Sequence, residues 1–252
     1  MKIAIDAYKG TFEFKEEDNR VGSFDYAVKG LKNESWEKDT FFVIDRLQNK
    51  DSTFLDIGAW IGPMSMYAAP LFKKVVSIEP DIKANKCFKK NTKKFNNVSL
   101  VEKAFVSEEF KNSHKKIYFG AHENETFEML GNSKSQSRIV RQKPEDYEVD
   151  LISAKDCFEK YNNIALVKCD IEGGEEKVIP DLFLKCNVFK SHLWLSFHFD
   201  WWEDKRIERF SDYFFIAKRM HVFNGKLWYC RPPNSVIPIV KEYPFISILF
   251  EF

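Results

Sequence analysis

The chain has 252 residues, 44% of them hydrophobic, with 39 basic and 38 acidic side chains and a formal net charge of +1. That size and apolar content suit one domain with embellishments around a substantial core. The balanced charge excludes a global field that would draw nucleic acid or an acidic membrane, and the pairs Lys89-Lys90, Lys93-Lys94 and Lys115-Lys116 read as solvated faces.

In chain order, residues 1–50 read as an appendage: a small hairpin over 2–8 and 11–14 around Lys9-Gly10, then a helix over 36–47 with Trp36, Phe41, Ile44 and Leu47 as its apolar contacts. This unit is expected to pack on a sheet edge or over a ligand crevice. Residues 51–252 read as the main domain. Strands are expected over 53–57, 75–78 and 98–104, with a short helix over 63–70 and a longer one over 81–95 that Asp81 caps. This βαβαβ series argues for a mostly parallel sheet. A polar insertion at about 107–150 breaks the rhythm. It is rich in Lys, Ser, Asn, Glu and Gln, with loop-like stretches from Gly120 and Gly131 and short strands over 116–119 and 137–141.

After the insertion, residues 150–158 are expected to restart a helix. A buried strand over 164–168 leads into a helix from Glu175, and a further strand over 191–199 into a helix over 204–219. Strands over 220–223, 226–229 and 245–252 suit an antiparallel closure of the sheet, with Asn224-Gly225 turning the first pair. The fold class is therefore α/β and Rossmann-like, mostly parallel with antiparallel carboxyl-terminal strands. The five cysteines are widely spaced and form no C-x-x-C pair, which argues against a zinc knuckle or a disulfide framework. No signal-peptide pattern opens the sequence and no run of 18 apolar residues occurs, so a soluble, cytoplasmic protein is expected, with a piece of a longer polypeptide as an open alternative.

Chemistry concentrates at strand ends. Phe54-Leu-Asp-Ile-Gly-Ala-Trp-Ile-Gly62 reads as a buried strand running into a glycine turn, and Val75-Val-Ser-Ile-Glu-Pro-Asp81 as a second strand ending in an acid. A dinucleotide site needs G-x-G-x-x-G to seat a pyrophosphate. Here Asp56 precedes Gly58, and Gly62 follows four residues later. An acid at that turn suits the ammonium group of S-adenosylmethionine (SAM), which carries no phosphate, through local water or a direct bond. Glu79 stands 23 residues beyond Asp56, where it can accept both ribose hydroxyls, although that spacing alone also fits NAD. The expected cofactor-binding set from these two segments is Asp56, Gly58, Ala59, Trp60 and Gly62 with Glu79, Pro80 and Asp81.

A second constellation follows the strand that ends at Lys168. Asp170 and Glu172 stand directly after a buried run, where carboxylates are costly without a partner or a task. Gly173 and Gly174 allow close approach at the next helix. His198 ends an aromatic strand, and its ordinary pKa near 6.5 suits general-base work. In an open α/β sheet all these strand ends face one crevice.

The segments Phe54–Gly62, Ser77-Ile-Glu-Pro-Asp81 and Leu166-Val-Lys-Cys-Asp-Ile-Glu-Gly-Gly-Glu175, with the strand ending at His198, resemble the FkbM-type SAM-dependent methyltransferases over roughly residues 50–200. The resemblance implies a SAM-dependent methyltransferase fold and O-methylation of sugar or natural-product hydroxyls. It implies that Asp56, Gly58 and Glu79 hold SAM, with Ala104 and Phe105 near the adenine. Asp170, Glu172 and His198 would face the methyl group and the acceptor, with Asp170 also touching the cofactor. Two departures stand out. Trp60 replaces the usual Asn after Gly-Ala, and Ser196 replaces an acid before Phe197-His198, which weakens any metal requirement; no metal ligand set is expected.

The expected reaction is methyl transfer from SAM to a hydroxyl of a sugar, glycan or glycosylated small molecule. His198 is the expected base, Asp170 the runner-up, and Glu172 the orienting acid. Trp201 and Trp202 suit a sugar-stacking wall or a core cap, and Lys115, Lys116, Arg138 and Arg141 suit a phosphorylated or nucleotide-linked sugar. An RNA or cap methyltransferase and a non-catalytic SAM-fold module in a glycan-assembly complex are the alternatives.

Overall fold

The structure, a computed structural model, describes residues 2–15, 24–114, 116–120, 138–139, 147–223 and 228–252. The amino-terminal unit comprises β1 (Lys2–Ala7) and β2 (Gly10–Lys15), an antiparallel hairpin, followed by α1 (Phe24–Lys32) and α2 (Lys38–Arg46). The hairpin and the second helix match expectation; α1 was not foreseen. Next come β3 (Asn49–Ile57), α3 (Pro63–Ala68), β4 (Phe72–Ile78), α4 (Ile82–Thr92) and β5 (Val98–Val101). The expected strand over 98–104 divides in two: β6 (Ala104–Phe105) leaves the main sheet and pairs elsewhere. Asp81 caps α4, its carboxylate accepting from the N–H groups of Lys83 and Ala84.

The insertion contributes α5 (Glu108–Ser113), β7 (Lys116–Gly120), β8 (Arg138–Ile139) and β9 (Tyr147–Ile152), which form a small sheet with β6. Residues 150–152 thus finish a strand rather than open a helix. Glu148 and Asp150 are exposed while Val149 and Leu151 are buried, an alternation with period two that ends at the buried Ile152. The helix α6 (Ala154–Lys160) starts after a capping box of Ser153 and Asp156. The expected loops over 121–125 and 131–137, the contacts of Lys115 and Arg141, and the Asn224-Gly225 turn lie outside the described residues.

The last third holds β10 (Ile164–Cys169), α7 (Glu175–Phe189), β11 (His192–His198), the short helix α8 (Ser211–Phe214), β12 (Arg219–Phe223), β13 (Trp228–Arg231), α9 (Val236–Glu242) and β14 (Phe245–Glu251). The helix expected over 204–219 is reduced to a 3-10 turn over Ile207–Phe210 and the single turn α8. Segment 203–209 is held instead by Glu176, which accepts from the N–H groups of Glu203 and Asp204 and pairs with Arg209. Those tertiary bonds replace the bonds of a continuous helix.

Among the described residues the main sheet has eight strands in the order β13-β12-β14-β11-β10-β3-β4-β5. Strands β5, β4, β3, β10 and β11 are parallel, and β14, β12 and β13 add antiparallel pairings. This is the expected Rossmann-like α/β fold. Alternate residues face opposite layers. Leu55, Val76, Val167 and Leu195 pack with α6, α7 and α9 in one core. Phe54, Val75, Leu166 and Trp194 pack in the other with the hairpin, α1, α2 and α3. The first fifty residues are therefore built into a core layer, with Phe12, Phe14, Phe24 and Phe41 buried. Strand order reverses between β3 and β10, so the crevice at the carboxyl ends opens there. No described helix is long and apolar enough to cross a membrane.

Candidate active site

The turn after β3 is shaped by contacts that only glycine allows. Gly58 has φ +77°, and a Cβ there would lie 1.7 Å from the carbonyl oxygen of Asp170. The two strand ends at the switch point therefore close to backbone contact. Gly62 answers a different demand. It sits at φ +93° ahead of α3, and a Cβ there would meet the Phe88 ring at 2.8 Å. Gly62 thus serves helix packing. Ala59 is likewise buried.

Asp56 has no exposed surface. Its Oδ2 accepts from the Ser65 hydroxyl at 2.6 Å, and its Oδ1 lies 3.5 Å from the Lys168 ammonium. A sealed carboxylate cannot reach a ligand's ammonium directly, which disfavours the direct bond of the two expected routes: Asp56 supports the turn from beneath. Lys168 is the residue the sequence reading passed over. Its Nζ donates to the Gly58 carbonyl at 3.0 Å and lies 3.5 Å from both Asp56 and Asp170. Burial works against its charge, but Asp170, Asp56 and Glu37 outweigh that and hold its pKa above the ordinary value. A lysine inside the run Leu166-Val-Lys-Cys was the available signal, since a buried strand tolerates a charge only with partners.

Glu79 turns toward the same glycine turn. It accepts from the Trp60 N–H at 2.9 Å and the Asp81 N–H at 2.8 Å. Burial raises its pKa to about 7, against the lowering effect of those two hydrogen bonds. A carboxylate has about four acceptor positions, so two backbone bonds leave capacity for hydroxyl donors. Asp81 caps α4 through its Oδ1, which gives it a structural task. Above it the Tyr147 hydroxyl accepts from the Ile82 N–H at 3.1 Å, bringing the insertion to the rim. Trp60 adopts φ 49°, its ring lies 6.2 Å from that of Trp36, and its indole N–H is buried without a hydrogen-bond partner.

The second constellation assembles around His198. Its Nδ1 lies 2.8 Å from Glu175 Oε1, while Nε2 faces Asp170 at 3.6 Å and Glu172 at 3.5 Å. Glu175 is fully buried and also accepts from the N–H groups of Ile171 and Gly173, so it fixes both the loop and the imidazole. Glu172 is held at φ 54° in that loop. Burial alone would lower the His198 pKa, but the Glu175 bond and the charges of Glu175, Asp170 and Glu172 raise it to about 9. The expectation of titration near neutrality is thus corrected: in the ligand-free molecule His198 is protonated at neutral pH. Asp170, Glu175 and His198 also bring donor atoms within 4.8 Å of one another, close enough to hold a metal ion. A three-donor set was not expected. Glu175 was quoted in the sequence motif, but its role appears only once α7 and β11 meet.

A cleft of about 770 Å³ opens beside this cluster, and its lining includes Gly58, Pro80, Ala104, Phe105, Ile171 and Glu172 with Pro180, Arg209, Phe210 and Tyr213. Four of the expected cofactor residues, Gly58, Pro80, Ala104 and Phe105, therefore line one cleft. Trp201 also lines the cleft and stacks on His198, with ring centroids 5.0 Å apart at 7°. The exposed Phe245 ring stands edge-on to both. Trp202 is buried and packs on Phe197, Phe199 and Phe210, so the tandem divides into a site residue and a core residue.

No family model and no curated protein sequence matches the chain. Among solved structures it is similar to methyltransferase FkbM from Methylobacillus flagellatus KT, at 13% identity and a TM-score of 0.45 over 93% of this chain and 56% of that one. The chain thus spans little more than half of that structure. It is also similar to a precorrin-6y C5,15-methyltransferase from Geobacter metallireducens GS-15, at 15% identity and a TM-score of 0.41 over 85% of this chain and 89% of that one. An rRNA methylase from Streptococcus thermophilus gives 10% identity and a TM-score of 0.43 over 85% and 95%. Likeness this distant bears on neither substrate nor residue roles; the fold rests on the strand order and switch point themselves.

Proposed function

We propose that the protein is a SAM-dependent O-methyltransferase acting on a hydroxyl of a sugar or glycan. The observation that carries this reading is the charge at the switch point. Glu37, Asp56, Asp170, Glu172 and Glu175 gather there against Lys168 and His198. Such an excess of carboxylate favours a cationic ligand and disfavours a pyrophosphate. SAM, a cation, fits those acceptors, and the lining of the neighbouring cleft includes apolar residues suited to an adenine ring.

When bound, SAM supplies an electrophilic methyl group on a sulfonium centre. Pro80, Ala104, Phe105 and Ile171 wall the adenine, and Glu79 accepts from the ribose hydroxyls. Trp201 and Phe245 offer aromatic surface to a sugar ring. Asp170 and Glu172 orient the acceptor hydroxyl. His198 takes its proton at Nε2, because Glu175 holds the proton on Nδ1. That step needs the neutral imidazole, and a cation bound beside His198 weakens its hold on the proton.

Calorimetric titration with S-adenosylhomocysteine, with NADH as the control, tests the cofactor class. Binding of the former alone is expected, followed by a one-methyl mass increase when sugars are incubated with SAM. Binding of NADH, or of neither compound, would overturn the reading.

A further inference from the structure

We propose that Glu37, from the amino-terminal unit, is the carboxylate that receives the ammonium group at the amino-acid end of SAM. The inference rests on the SAM reading above and adds a residue that lies outside the glycine-turn and strand-end motifs.

The acid that motif reasoning assigns to this task, Asp56, is sealed beneath the turn by Ser65 and Lys168. The ammonium therefore needs another acceptor on the open side. The amino-terminal unit supplies one. Trp36 packs on Trp60 in the turn itself, and the Tyr8 hydroxyl donates to the Trp36 carbonyl at 2.7 Å, fixing the segment there. Glu37 follows immediately, in the left-handed region at φ 52°, ψ 29°. A non-glycine residue holds that conformation at a cost, and such positions cluster at functional sites.

The side chain is aimed inward. Glu37 precedes α2 but makes no capping bond to the helix backbone. Its Oε2 instead accepts from the Thr40 hydroxyl at 2.6 Å, and Thr40 accepts from the Trp194 indole N–H at 2.9 Å. Trp194 on β11 is the register partner of Lys168 on β10. This chain of contacts sets the Glu37 carboxyl on the same side of the sheet as the Lys168–Asp170 pair. Asp170, Lys168 and His198 all act on it electrostatically, with burial and Asp170 raising its pKa. Two carboxyls that repel each other are relieved by a cation between them. The ammonium of an amino acid has the charge and the three donors to bridge Glu37 and Asp170.

The test compares two ligands that share the nucleoside thioether and differ in the amino acid: S-adenosylhomocysteine and 5′-methylthioadenosine. In calorimetry, Glu37→Gln should weaken the first by about tenfold or more, the scale of a lost charge-assisted bond, and leave the second unchanged. The melting temperature of the variant should hold or rise, because a repelled buried charge is removed. Unchanged binding of S-adenosylhomocysteine by the variant would overturn the assignment. So would an equal loss of both ligands, which would mark Glu37 as structural. If the unmodified protein bound neither compound, the cofactor reading would fall and this assignment with it.

Discussion

Nδ1 of His198 and Oε1 of Glu175 lie 2.8 Å apart, and the carboxylate of that pair has no contact with solvent. The pair sets the protonation state of the site. It raises the His198 pKa from 6.5 to about 9, with Asp170 and Glu172 adding to the effect. It also leaves Nε2 as the nitrogen that faces the acceptor side.

A base that is charged at neutral pH predicts a rising pH profile. The ratio kcat/KM should climb as pH increases toward about 9 and level off above it, while kcat should level off at lower pH because bound SAM weakens the hold of His198 on its proton. Glu175→Gln should move that limb to lower pH, and His198→Ala should cut turnover by about 100-fold or more, the scale of general-base loss. A profile unchanged by Glu175→Gln would detach the limb from His198. The same pair predicts a stability trend. A histidine with a raised folded-state pKa contributes stability that is full below pH 6.5 and lost as pH rises through about 9. The melting temperature of the parent protein should therefore fall more steeply across that window than that of His198→Asn.

Glu79 predicts a proton count. Its pKa is raised to about 7 by burial, and ribose hydroxyls donating to it would favour the ionised form. Binding of S-adenosylhomocysteine at pH 6 should then release protons, and the release should vanish above pH 8. Calorimetry in two buffers of different ionisation enthalpy measures this, and Glu79→Gln should abolish it while weakening binding.

Gly58→Ala should be severe. The added methyl group would sit 1.7 Å from the Asp170 carbonyl oxygen at a backbone angle of φ +77°. A loss of roughly 3 kcal/mol or more in urea denaturation is expected, since strain and overpacking combine. Wild-type stability in that variant would mean that β3 and β10 separate more easily than their contact implies.

Turnover should survive chelation. A tetrahedral zinc with ligands at about 2.0–2.1 Å holds its donors roughly 3.3 Å apart. The His198–Glu175 separation of 2.8 Å is instead that of a hydrogen bond with the proton between. Loss of activity in EDTA, restored by one divalent cation, would assign Asp170, Glu175 and His198 to a metal.

The sheet was legible because its signals are local. Unbroken burial in Phe54–Ile57 and Val75–Ile78, glycines at 58 and 62, and acids at 56 and 79 each express a constraint between near neighbours. The helix expected over 204–219 failed because its helical pattern competes with Glu176, a partner 27 and 28 residues away that takes the N–H groups of Glu203 and Asp204. Residues 150–152 misled for a related reason: the capping box at Ser153 and Asp156 marks where α6 begins, and the apolar residues before it belong to β9.

By itself, then, the sequence determined the α/β layering, the strand ends and the residue types that meet at the crevice, because short apolar runs and glycine turns are properties of short segments. The tertiary structure alone decided which carboxylate does what. Asp56 is sealed by Lys168 from a strand over a hundred residues away, and His198 is charged by Glu175 from the preceding helix. Glu37 arrives at the site only because Trp36 packs on Trp60 and Thr40 bonds to Trp194. Burial and charge at a site are sums over all neighbours in space, and most of those neighbours are not neighbours in the chain.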